Sequence, residues 1–334
     1  MGQGAYIFGC VGPRLTADEV DFFKDANPWG FILFARNVEN PEQLRRLTRD
    51  LRTSIGRDAP IMIDQEGGRV QRMRAPNWRE WMPALDQIER AGENAARSMW
   101  LRARLIAEEL KAVGIDANCA PLGDIVTART HPILANRCYG SELDSVVEIS
   151  RTVANGLFSG GVLPVVKHLP GHGRAVVDSH LDLPRVNASA QELQSTDFAV
   201  FKALSDLPLA MTAHIVYSDL DELPATQSPK IISMIREKIG FSGLLMTDDI
   251  SMQALDGLLE DRCLKSIDAG CDMILHCNGD LAEMQRVVGV AGQMSDVSQN
   301  RADNAIKSRV EALPFDIAAA EAELEAIMRG SPYV

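Results

Sequence analysis

Short apolar runs recur along the chain, separated by stretches of helical period. The runs Ala5–Gly9, Gly30–Phe34, Pro60–Ile63, Ile115–Ala120, Leu163–Lys167, Leu209–His214, Leu244–Thr247 and Asp272–His276 read as buried strands. Between them, Asn40–Ile55, Pro83–Val113, Leu143–Ser159, Thr196–Ser205, Pro229–Ile239 and Leu258–Ala269 are amphipathic with helical spacing. Further helical segments follow the eighth strand, near Leu281–Met294, Asp303–Ala312 and Ala318–Met328. Eight strands alternating with helices predict an α/β fold, a single-domain (β/α)8 TIM barrel. No low-complexity linker or composition shift marks a boundary, so the expected domain is 1–334, with C-terminal helical segments from about 281. An open doubly wound sheet uses the same local signals, but it gathers its site at one switch point. Here chemically loaded segments follow many different strands, which favours the barrel.

The densest of these segments is Val166-Lys-His-Leu-Pro-Gly-His-Gly-Arg-Ala-Val-Val-Asp-Ser-His180. It places Lys167, His168, His172, Asp178 and His180 within fourteen residues, directly after a predicted strand. Asp64-Gln-Glu-Gly-Gly-Arg-Val-Gln-Arg72 follows the third strand, and Asn118-Cys-Ala-Pro-Leu-Gly-Asp124 the fourth, whose loop continues to Asn136-Arg137. Met211-Thr-Ala-His214 ends the sixth, and Thr247-Asp-Asp-Ile-Ser-Met252 the seventh. Each residue has a plain alternative. Asp64, Asp248 and Asp249 suit helix caps, Asp124 suits closing a turn, and Arg72 and Arg137 suit a surface. His214 suits a satisfied strand-end histidine, Met252 suits packing, and His131 and His276 carry still less signal. Acidic and basic groups gathered at the same end of several strands are nevertheless costly unless they bind something polar.

Composition narrows the class of partner. The chain has 334 residues, 46% hydrophobic and 24% charged, which is ordinary globular composition. A formal net charge of −12 argues against non-specific binding to nucleic acid or anionic membrane. Cys10, Cys119, Cys138, Cys263, Cys271 and Cys277 form no Cys-x-x-Cys pair and read as buried free thiols. The N-terminal stretch lacks the pattern of a secretory signal, and no apolar run spans a bilayer, so a cytoplasmic protein is expected, a monomer by default. Gly171-His-Gly173 lacks the frame of a phosphate-binding glycine loop. His168, His172, His180 and Asp178 have metal-ligand chemistry, but Lys167 beside them repels a cation, and no metal or cofactor is expected.

Lys167-His-Leu-Pro-Gly-His-Gly with Asp178-Ser-His180 resembles the signature of glycoside hydrolase family 3, in its bacterial single-domain β-N-acetylglucosaminidases. The segments at Asp64–Arg72, Asn136-Arg137 and Thr247–Met252 are similar to the same family in order and spacing, with Leu169, Thr247 and Cys138 as small departures. The resemblance runs from about residue 5 to 290. It implies that Asp248 is a covalent nucleophile and that His180, oriented by Asp178, is general acid and then base. It implies that Asp64, Arg72, Arg137, Lys167 and His168 hold the sugar, and that Gly171 and Gly173 let the His180 loop move over it. The implied substrate is a muropeptide fragment from cell-wall recycling. A relative that passes the sugar to phosphate, a metal-dependent hydrolase and a catalytically inactive sugar-binding barrel remain as alternatives.

Overall fold

The computed structural model describes residues 2–176 and 183–330. Eight parallel strands close into a barrel: β1 (Gly4–Phe8), β2 (Pro28–Leu33), β3 (Ile61–Ile63), β4 (Ala117–Asn118), β5 (Leu163–Leu169), β6 (Leu209–Thr212), β7 (Leu244–Asp249) and β8 (Met273–His276). Each strand pairs with its neighbours in sequence, and β8 pairs with β1 (Ile7 opposite Leu275). The strands read as continuous apolar runs because both faces are buried. Ile7, Ile32, Met62, Val165, Met211, Met246 and Leu275 fill the barrel, while Phe8, Phe31, Ile61, Val166 and Leu245 meet the surrounding helices.

Three predicted bounds move for physical reasons. The stretch 83–113 is two helices, Ala84–Ala91 and Ala95–Ala112, broken at Gly92, whose φ of 55° an L side chain rarely adopts. The fourth strand is only Ala117–Asn118, because Ala120 N turns back to Asn118 O at 2.8 Å instead of continuing the ladder. The helix expected at 303–312 is Asp296–Lys307, started by Ser295, whose hydroxyl accepts from Ser298 N at 3.1 Å. A helix absent from the sequence reading, Ala17–Ala26, opens on a capping box of Thr16 and Glu19.

The C-terminal helices complete the barrel's lower end. Asp296–Lys307 sets Ala302 and Ala305 against the barrel interior, and Arg301 reaches Asp272 at 2.8 Å. The last helix, Ile317–Arg329, packs on Ala95–Ala112. The opposite end, where the strands finish, carries two short ladders: Gln65–Gly67 antiparallel to Val70–Gln71, and Arg185–Val186 parallel to Val216–Tyr217. Among the described residues no helix is long and apolar enough to cross a membrane.

Candidate active site

A pocket of about 330 Å³ opens at the C-terminal ends of the strands. That is the lower end of the range for small-ligand sites, room for one sugar ring rather than a long chain. Its lining includes Asp64, Arg72, Arg137, Lys167, His168 and Asp248, six of the eight residues to which the resemblance assigns a catalytic or sugar-holding role. The other two, Asp178 and His180, lie outside the described residues.

One wall is a buried ion network. Asp64 leaves the tip of β3, and the Gln65–Gly67 ladder turns the chain back so that Arg72 returns beside it. Asp64 accepts from Lys167 Nζ at 2.8 Å and from Arg72 Nη2 at 3.1 Å. Glu66, which sequence reasoning did not single out, stands behind: it accepts from Lys167 at 2.6 Å and takes both forks of Arg137, at 2.9 and 3.0 Å. Burial pushes the Asp64 and Glu66 carboxyls up, but the cations outweigh it and hold both below the usual carboxylate range. Burial works against the charge on Lys167 too, and the two carboxylates still raise its pKa. Three cations, two of them fixed by Glu66, thus present charged donors to the pocket.

His168 is turned by a second buried acid. Asp124 Oδ2 lies 2.7 Å from His168 Nδ1, and its Oδ1 accepts the backbone N–H of His172 at 2.6 Å. Asp124 therefore closes the loop, as its sequence position suggested, and also fixes the imidazole so that Nε2 is left for a ligand. Burial, and then the neighbouring His168, lower the His172 pKa to about 4. Its Nδ1 is buried without a partner among the described residues. Gly173 answers to packing here: a Cβ would lie 1.9 Å from Ile125 O.

Asp248 and Asp249 end β7 with different surroundings. Among the described residues, Asp248 accepts one hydrogen bond, from the N–H of Asp249 at 2.8 Å. Burial raises its carboxyl, but His214, His168, that N–H and Lys167 together lower it, so it stays ionised. Asp249 takes Ser251 N and Oγ and Cys277 N at 2.9 to 3.2 Å, tying the turn to the end of β8 rather than capping a helix. His214 is satisfied, with Nδ1 2.8 Å from Thr226 Oγ1 and Nε2 3.0 Å from Asp249 O. His131 caps a short turn and His276 meets Glu283; neither lines the pocket. Met252 does line it, at the rim. All six cysteines are free and buried. Among the described residues no group of three His, Cys, Asp or Glu could hold a metal ion.

The sequence profile of the glycosyl hydrolase family 3 N terminal domain matches residues 8–330. The chain belongs to glycosyl hydrolase family 3. Within family 3 it is a β-hexosaminidase-type glycoside hydrolase. It is 38% identical to a beta-hexosaminidase of Methylococcus capsulatus, over 81% of this chain and 82% of that protein. A Neisseria meningitidis beta-hexosaminidase is 36% identical, over 83% and 78%. Among solved structures, NagZ from Neisseria gonorrhoeae, in complex with N-trifluoroacetyl-D-glucosamine, superposes with a TM-score of 0.87 at 28% identity, over 98% of this chain and 99% of that one. Another structure of the gonococcal protein contains a zinc ion and superposes at 0.83 with 27% identity, over 98% and 97%.

Proposed function

We propose that this protein is a retaining exo-β-N-acetylglucosaminidase that removes terminal N-acetylglucosamine from N-acetylglucosamine–1,6-anhydro-N-acetylmuramic acid, with or without peptide. The observation that carries the reading is the state of the pocket carboxylates. Among the described residues, Asp64 is locked between two cations and Asp249 by three donors, whereas Asp248 carries a single backbone N–H. It is the carboxylate with an oxygen left to attack an anomeric carbon. Neither Asp64 nor Asp248 has the raised pKa that a carboxylic proton donor needs. We therefore assign the donor to His180, which with Asp178 lies in the sequence just after Val176.

In the first step an Asp248 oxygen bonds to C1 of the sugar while His180 gives its proton to the departing glycosidic oxygen. In the second, His180 takes a proton from water, the water oxygen bonds to C1, and the bond to Asp248 breaks. Two displacements at one carbon return the β configuration. Asp178 orients the imidazole, whose unperturbed pKa near 6.5 suits both directions of transfer. Asp64 accepts from sugar hydroxyls, and Arg72, Arg137, Lys167 and His168 donate to them and to the acetamide. The barrel and the C-terminal helices act as one catalytic domain without a metal or cofactor. The setting is cytoplasmic peptidoglycan recycling, with its links to cell-wall synthesis, division and shape, and the enzyme works as a monomer. Nitrophenyl N-acetyl-β-glucosaminide should release nitrophenol, and nitrophenyl β-glucoside roughly tenfold more slowly or worse, because lost acetamide contacts leave buried donors unpaired. Equal rates on the two would overturn the substrate assignment.

A further inference from the structure

Arg36 sits at the mouth of the same pocket and differs from its other cations. Arg72, Arg137 and Lys167 are each paired with a carboxylate. Arg36 is exposed and, among the described residues, has no acidic partner. It is also held in place. Its Nε donates to Cys10 O at 3.0 Å and its Nη2 to Cys277 O, carbonyls from the ends of β1 and β8. Its plane lies over the Phe34 ring at 5.0 Å, with Arg72 over the same ring at 5.1 Å. Nη1 has no partner among the described residues, so a fork of donors fixed in space is left for a ligand.

The position says which part of the ligand it meets. Lys167 and His168 are buried on β5, across the closed barrel from β1, and Asp248 ends β7, next to β8. A sugar held by the deep wall with C1 at Asp248 puts its departing group toward the mouth, on the side of β8 and Arg36. We propose that Arg36 forms a carboxylate-binding subsite that reads an acidic substituent on the leaving sugar. This rests on the glycosidase reading above and adds the chemistry of its second sugar. A planar carboxylate, as on a lactyl ether, matches the guanidinium fork, and the stacking on Phe34 limits the entropy lost on pairing.

The test uses N-acetylglucosamine–1,6-anhydro-N-acetylmuramic acid and its lactyl methyl ester, which share the leaving oxygen and differ in one charge. Wild-type kcat/KM should favour the acid by about fivefold to tenfold at low salt, mostly through KM, and less as salt rises. In Arg36→Gln the acid-to-ester ratio should fall to near one, and Arg36→Lys should keep part of it. An unchanged ratio in Arg36→Gln overturns the proposal, as does a wild type that treats acid and ester alike. A purely structural role for Arg36 would lower both rates together and leave the ratio intact. Failure of the wild type to cleave either compound would instead remove the glycosidase reading on which the subsite rests.

Discussion

Asp248 and Asp249 are chain neighbours of the same chemistry, and their hydrogen bonds separate them. Asp248→Asn should abolish turnover with the unfolding midpoint nearly unchanged, since it removes the proposed attacking oxygen and no structural partner. Asp249→Asn should keep measurable turnover and lose stability, because it weakens the turn to Cys277; the reverse order would put the reaction on Asp249. Glu66 acts through others. Glu66→Gln releases Lys167 and Arg137 from a charged acceptor, and hydrogen bonds to charged groups contribute about 1.5–3 kcal/mol. We expect kcat/KM to fall about tenfold to a hundredfold, carried by KM, with partial recovery in Glu66→Asp; a loss confined to kcat would contradict the positioning role. His172 gives a pH signature. Its pKa drops from about 6.5 unfolded to about 4 folded, so the unfolded chain binds the extra proton between those values. Stability from this group is complete above pH 6.5 and declines as pH falls toward 4, by about 2–3 kcal/mol. Urea unfolding between pH 7.5 and 4.5 should show that share in the wild type and not in His172→Gln. The motif-borne residues were legible because they cluster just past apolar runs. Glu66 and the hold of Asp124 on His168 were not, since the partners lie 71 and 44 positions away and no pattern announces either pair.

At the level of elements, apolar runs located all eight strands because each is buried on both faces, and the ends blurred where side chains take over from the ladder. Asn118 is one such end: its side chain exchanges two hydrogen bonds with the backbone of Gln65, both 3.0 Å, and so sets where the Asp64 turn begins. The joint between β8 and the C-terminal helices was invisible in the sequence, because it is made by one acid. Asp272 accepts from Arg236, Arg301, Ser298 and Leu245 N within 2.6–2.9 Å. Asp272→Ala strands two guanidinium groups at the barrel floor and should cost about 3–5 kcal/mol of unfolding free energy. A loss below about 1 kcal/mol would mean the helices hold the floor by packing alone.

Taken whole, the molecule separates stability from chemistry along the barrel axis. Ala302, Ala305 and the Asp272 joint close one end, and charged groups from β3, β5 and β7 and the loop after β4 meet at the other. The barrel was readable because the alternation of elements is global and redundant, so a misplaced boundary does not change it. The pocket's charge balance was not, because it depends on which carboxylate each cation meets in space. The central claim is that Asp248 carries the sugar between two displacements, with His180 serving both. His180→Ala with nitrophenyl N-acetyl-β-glucosaminide tests it most directly. Nitrophenolate leaves without a proton, so the first step proceeds, while the second lacks its base and the intermediate accumulates. Acid quenching during turnover followed by peptide mass mapping should find one N-acetylhexosaminyl unit on the peptide containing Asp248. The unit on any other residue, or an unmodified protein that releases the α-anomer first, would contradict the account.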